Sequence, residues 1–203
     1  MSDQDYSQLG EKELELMVLE KDRPDKYEVY LELFRRYSEK HDLENATLSL
    51  ENLITSFDGK IEKGALVNAR YRQALLHFYA ENFDIALDYA SKGLNQWVAD
   101  SDSDSFFYNE WCKCAITELR CSLALGFISG VPEKAQGLLD ILEIFKLENY
   151  VSLTYMIIAE AYFHLEKDDL CEENLKLAKS ADPDGEGIQK GIDHFRNAMA
   201  AEK

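Results

Sequence analysis

Apolar residues in this chain recur at helical spacing from one end to the other. In Tyr150–Leu165, "YVSLTYMIIAEAYFHL", the residues Tyr155, Ile158, Ala159 and Tyr162 fall three or four apart and share one face. "LCEENLKLAKSA" follows with a second stripe of Leu170, Cys171, Leu175 and Ala178, and the polar "EKDD" between them has turn composition. Pro183 and Gly185 end the second helix. The segment therefore predicts a pair of helices joined by a short turn. Because apolar residues appear on more than one face, the pair is stable only when stacked on neighbours.

Three earlier segments repeat the design. "KYEVYLELFRRYSEKHDLENATLSLENLITSF" carries Tyr30, Leu33, Phe34 and Tyr37, a turn at "EKHD", then Ala46, Leu50 and Leu53. "NARYRQALLHFYAENFDIALDYASKGLNQW" carries Ala74 and Phe78, a turn at "AEN", then Phe83, Ala86, Ala90 and Leu94. In "AITELRCSLALGFISGVPEKAQGLLDILEIF" the stripe is Leu119 and Leu123, a Gly130–Pro132 turn, then Ala135, Leu139 and Leu142; Ala124 and Phe127 offer an alternative phase to Leu123. Ile188, Ile192, Phe195 and Met199 share one face of "GEGIQKGIDHFRNAMA", the pattern of a capping helix, and "YSQLGEKELELMVLE" predicts a similar helix at the start. About ten helices result. The longest interruption, "QWVADSDSDSFFYNEW", reads as a loop; Asp100, Asp102 and Asp104 resemble the start of a calcium loop but lack its Gly and closing Glu.

These units resemble tetratricopeptide repeats, helix–turn–helix units of about 34 residues. The last unit carries the likeness best, with Tyr155, Ile158, Ala159, Tyr162, Leu175, Ala178, Pro183, and Cys171 where Ala is usual. Ala46, Ala86, Ala135 and Cys171 occupy the small-residue position, where two helices cross closely. Their separations of 40, 49 and 36 residues all exceed the family period, so the connections are longer than usual. The resemblance implies an all-α fold: a right-handed superhelical array of about four hairpins (about 27–60, 67–97, 116–149 and 152–185) with a capping helix at 186–201, in one domain spanning 1–203.

In this repeat class the first helices line a concave face. By that register the face presents Leu31 and Arg35; Tyr71, Leu75, Phe78 and Tyr79; Arg120, Ala124, Phe127 and Ile128; then Leu153, Met156, Glu160 and Phe163. From these, Tyr71, Leu75, Phe78, Tyr79, Phe127, Met156 and Phe163 are the candidate partner-binding residues. Such a face suits an apolar or amphipathic segment; covered by a loop, the cap helix or a second subunit, it would instead be core. The Lys and Asn residues with which co-chaperone members grip a chain-terminal carboxylate are replaced here by Leu31, Arg35, Arg72, Thr117 and Cys121.

Composition narrows the function. The 203 residues carry a net charge of −17, unfavourable for nucleic acid or an anionic membrane and favourable for steering a basic partner. No apolar stretch approaches a membrane span and the acidic start lacks a signal-peptide pattern, which predicts a cytoplasmic protein with reduced cysteines. Cys112 and Cys114 have no partner pair at zinc-site spacing, and His41, His77, His164 and His194 have no neighbouring nucleophile. The reading is a non-enzymatic, cofactor-free and metal-free scaffold or adaptor, chaperone-like in mode, whose partner is a basic or amphipathic protein segment. The alternative is a self-associating regulatory or structural module, a homodimer.

Overall fold

The computed structural model describes residues 6–20, 25–57, 62–96 and 105–201, and these are helical throughout, with no strand among them. The ten helices are α1 (Glu11–Leu19), α2 (Lys26–Glu39), α3 (Leu43–Ser56), α4 (Lys63–Tyr79), α5 (Phe83–Leu94), α6 (Ser105–Ala124), α7 (Val131–Ile144), α8 (Val151–His164), α9 (Asp168–Ala181) and α10 (Glu186–Ala201). Helices α2–α3, α4–α5 and α8–α9 pack as pairs.

One backbone device recurs. His41, Glu81, Gly126, Lys146 and Glu166 all have φ between 54° and 79°, two residues beyond the ends of α2, α4, α6, α7 and α8. In each case the next residue's N–H bonds a carbonyl five residues back, as in Asp42 to Tyr37, Asn82 to His77 and Lys167 to Tyr162. A left-handed residue there satisfies the last carbonyls and reverses the chain within three residues. After α6 and α7 the same turn leads into 3-10 segments, Ile128–Gly130 and Glu148–Tyr150. The predicted polar turns at "EKHD", "AEN" and "EKDD" coincide with this device.

The small residues sit where the spacing placed them: Ala46, Ala86, Ala135 and Cys171 have no exposed surface. Leu50 packs in one cluster with Ala46, Leu142 with Ala135 and Leu175 with Cys171. The third unit takes the Leu119/Leu123 phase, both being buried, while Ala124 and Phe127 are exposed. Its helices differ from the other pairs, since α6 packs on α4 and α5, and α7 on α8, more than they pack on each other.

The expected 96–111 loop is corrected in its second half; residues 97–104 lie outside the described residues. Helix α6 begins at Ser105, and Phe107 and Tyr108 are buried with Val67 and Cys114. Trp111 donates its indole N–H to the Leu94 carbonyl at 3.1 Å. Apolar burial against α4 and α5 extends the helix back through "FFYNEW". Gly64 and Gly93 permit this contact: a Cβ on them would come within 2.7 Å of Phe106 Cδ1 and 2.6 Å of Cys114 Sγ, respectively.

Both flanking helices behave as caps. Leu14 of α1 is buried among Val29, Tyr30, Leu33 and Leu53, and Arg36 ties the preceding turn down by donating to the Leu9 and Tyr6 carbonyls. Helix α10 buries Ile192 and Met199 against Ala159, Cys171 and Leu175.

A non-glycine residue in the left-handed region costs about 1–2 kcal/mol, partly offset by glycine's extra freedom when unfolded. Glu81→Gly and Glu166→Gly are each expected to raise stability by about 0.5–1 kcal/mol, seen as a melting temperature higher by roughly 1–4 °C. Ala86→Leu should lose about 1–3 kcal/mol by overpacking; a parental urea midpoint would show that this helix crossing has room to spare.

Candidate functional site

The stripe Tyr71, Leu75 and Tyr79 follows from α4's own sequence. Val67, Ala74 and His77 turn one side of the helix into the interior, which leaves positions 71, 75 and 79 on a shared outer line. These residues line a cleft of about 430 Å³ bounded by Phe34 and Arg35 of α2, Arg72 of α4 and Lys113 of α6. Tyr79 is 74 % exposed, an unusual state for a large aromatic residue beside an apolar wall.

A polar network lies under the cleft. Glu110 of α6 is buried, and its carboxylate accepts Asn68 Nδ2 at 2.7 Å, Lys113 Nζ at 2.6 Å and Asn109 Nδ2 at 3.0 Å. Asn68 in turn accepts Arg72 Nε at 2.7 Å, and Asn109 accepts the Tyr150 hydroxyl at 2.7 Å. The buried charge is thus paired and hydrogen-bonded, as burial demands. It also fixes the side chain that fixes Arg72.

Cations of one helix sit over rings of the preceding first helix. Arg72 lies 5.9 Å from the Phe34 ring centre, Lys113 5.5 Å from that of Tyr71, and Arg120 4.4 Å from that of Phe78. Arg35 pairs with Glu32 and Glu39, and hydrogen bonds from Arg35 and Arg36 hold the Glu32 carboxyl down at about 2. Arg72 and Arg120 have no carboxylate at ion-pair distance among the described residues.

The predicted partner-binding residues do not form one strip. Tyr71, Leu75 and Tyr79 share the open cleft, and Phe78 is half-buried beside it, 5.4 Å from the Phe83 ring. Phe127 is 63 % exposed, but it lies in the connection after α6 rather than on a first helix. Met156 and Phe163 pack against α10: a Cβ on Gly191 would meet Met156 Cε at 2.6 Å, and the Phe163 and Phe195 rings are 5.6 Å apart. Near them Arg120, Leu153 and Glu160 border a second hollow, of about 460 Å³, with Ile188 and Phe195 of α10 on its far side. Burial pushes the Glu160 carboxyl up, with Arg120 and two histidines opposing.

Elsewhere, His41, His164 and His194 are exposed, whereas His77 is buried, stacked 5.6 Å from Tyr89 with Nε2 3.0 Å from Thr47 Oγ1. Burial lowers its pKa. The four thiols are buried and pushed up, Cys112 to about 12 and Cys121 and Cys171 to about 11, which leaves them poor nucleophiles. Among the described residues no helix is long and apolar enough to cross a membrane.

Sequence reasoning missed Lys113 and Glu110, because Glu110 fell inside the expected 96–111 loop and Lys113 between that loop and the unit expected from about 116. Lys113, Thr117 and Arg120 stand at i, i+4 and i+7, a signal that would have carried the helix back to them.

No family model matches the chain, and no curated protein matches its sequence.

Glu110→Leu should destabilise the protein by about 2–3 kcal/mol in urea unfolding, since Lys113 and Asn68 lose a buried acceptor. Adding Lys113→Met should recover part of that loss, and strict additivity would mean the two residues are not coupled.

Proposed function

We propose that this chain is a non-catalytic, tetratricopeptide-like binding array of the cytoplasm, which receives an apolar or amphipathic protein segment in the cleft between α2, α4 and α6. The observation that carries the reading is the contrast between the two ends of the first-helix face. Met156 and Phe163 are half-buried against α10, which walls the hollow that Met156 lines, while Tyr71, Leu75 and Tyr79 line a concavity that no residue of α10 borders. The recurring left-handed turns and the four buried small residues support the repeat reading. The wall is apolar enough to anchor a side chain, and the rim supplies polar groups to orient it.

A second copy of the chain is the other occupant, and the exposed Tyr79 ring favours either equally. A photo-crosslinking residue in place of Tyr79, introduced in cells, should yield a covalent adduct, whereas one in place of Gln136 on α7 should not. An adduct of twice the chain's mass would assign self-association; any other mass, a separate partner. Leu75→Asp should cut adduct yield roughly tenfold or more with the helical spectrum retained, as expected for a central anchor. Equal yields from both probe positions would remove the cleft from consideration.

A further inference from the structure

Arg72 differs from the other cations of the cleft. Its Nε is engaged by Asn68 Oδ1 at 2.7 Å, and Asn68 is held by the buried carboxylate of Glu110. Its guanidinium lies over the Phe34 ring. Yet its two terminal nitrogens make no hydrogen bond to any described residue, and the side chain lines the open cleft. Such a guanidinium is oriented in advance and only half used. Its free edge presents N–H donors in the fork geometry that matches a carboxylate. Lys113, on the same cleft, is pinned to Glu110 through one of its three protons.

The net charge of −17 would suggest a basic partner, but that charge is distributed over the whole surface. Screening over about 8 Å at physiological ionic strength leaves a docked group to the charges it meets at short range. In the cleft those are three cations, Arg35, Arg72 and Lys113, and one acid, Glu39, which is paired with Arg35 at 2.5 Å; the balance is cationic, on a wall of Tyr71, Leu75 and Tyr79.

Resting on the cleft reading above, we propose that the segment it receives is acidic: an internal peptide stretch whose Asp or Glu side chain binds the free edge of Arg72 while a neighbouring apolar side chain packs on Leu75 and Tyr79. Asn68 and Glu110 are positioning residues, which hold the arginine for its ligand and do not themselves touch it.

The test uses the full chain and a display library of random twelve-residue segments between constant flanks, so that neither terminus of the segment is free. Selection on the parent protein should enrich Asp and Glu next to Leu, Phe or Tyr. A selected segment should bind roughly tenfold or more weaker when its acid is changed to the amide, and by a similar factor to Arg72→Gln with the original acid. The two changes together should cost no more than either alone, because they remove one contact. Arg72→Lys should recover only part, having lost the fork. Circular dichroism melts of both variants check folding, and Arg72 is half-exposed enough for either to fold. Enrichment of Lys and Arg, or of no charge, with binding still lost in Tyr79→Ala, would overturn the acidic inference and leave the cleft reading intact. Acid-to-amide and Arg72→Gln effects that simply add would also overturn it, since the acid would then bind elsewhere. No enrichment over a blank surface would overturn the cleft reading itself.

Discussion

How closely two helices approach depends on the side chain at their crossing, and everything else in this molecule follows from keeping that side chain small. Ala46, Ala86, Ala135 and Cys171 are wholly buried at one position in each of four units. Gly64 and Gly93 extend the same constraint to the approach of α6, where even a methyl group would collide with Phe106 or Cys114. Close approach lets the larger residues Leu50, Leu142 and Leu175 pack beside Ala46, Ala135 and Cys171, which is where burial stabilises the fold. It also fixes how far apart successive first helices stand, and so the width of the cleft between α2 and α6.

Much of the architecture was legible because each element announces itself locally. Periodicity gave the helices, short runs of turn composition gave the turns, and single small residues in apolar stripes gave the crossings. The start of α6 was not legible in the same way. Its "FFYNEW" adjoins an acidic, serine-rich run, and without knowledge of α4 and α5 nothing says that Phe107 and Tyr108 have an interior to enter. Helix formation there is a tertiary effect, decided by burial rather than by propensity. The left-handed residues are a second example. His41, Glu81, Lys146 and Glu166 are not glycines, so the turn that reverses the chain carries no glycine signal at four of its five occurrences.

The candidate site was legible in part for a related reason. The sequence placed Tyr71, Leu75 and Tyr79 on one line, and they do share a cleft. It also placed Met156 and Phe163 on the same kind of line, but it identified α10 as a cap without fixing where the cap lands. Gly191 decides that: lacking a side chain, it lets α10 come down directly on Met156. How far Met156 is buried thus depends on a glycine some 35 positions away.

The polar network gives the open half of the face its character. Burying Glu110 would be unfavourable alone, and the protein resolves this with three donors from α4 and α6. The resolution has a consequence at the surface. Asn68 has one acceptor oxygen, and its use by Arg72 orders a guanidinium that would otherwise sample many rotamers. Ordering before contact lowers the entropy lost when a ligand arrives. On α8 the counterpart of these cations is an acid, Glu160, close enough to Arg120 for the arginine to oppose the upward push of burial on its carboxyl. The series of cations over rings therefore stops where α10 meets the face, and the cleft and the hollow differ in charge. The two ends therefore differ in what surrounds them: near α10 an arginine and an acid border the hollow, while between α2, α4 and α6 the ordering of Arg72 traces back through Asn68 to the buried carboxylate of Glu110.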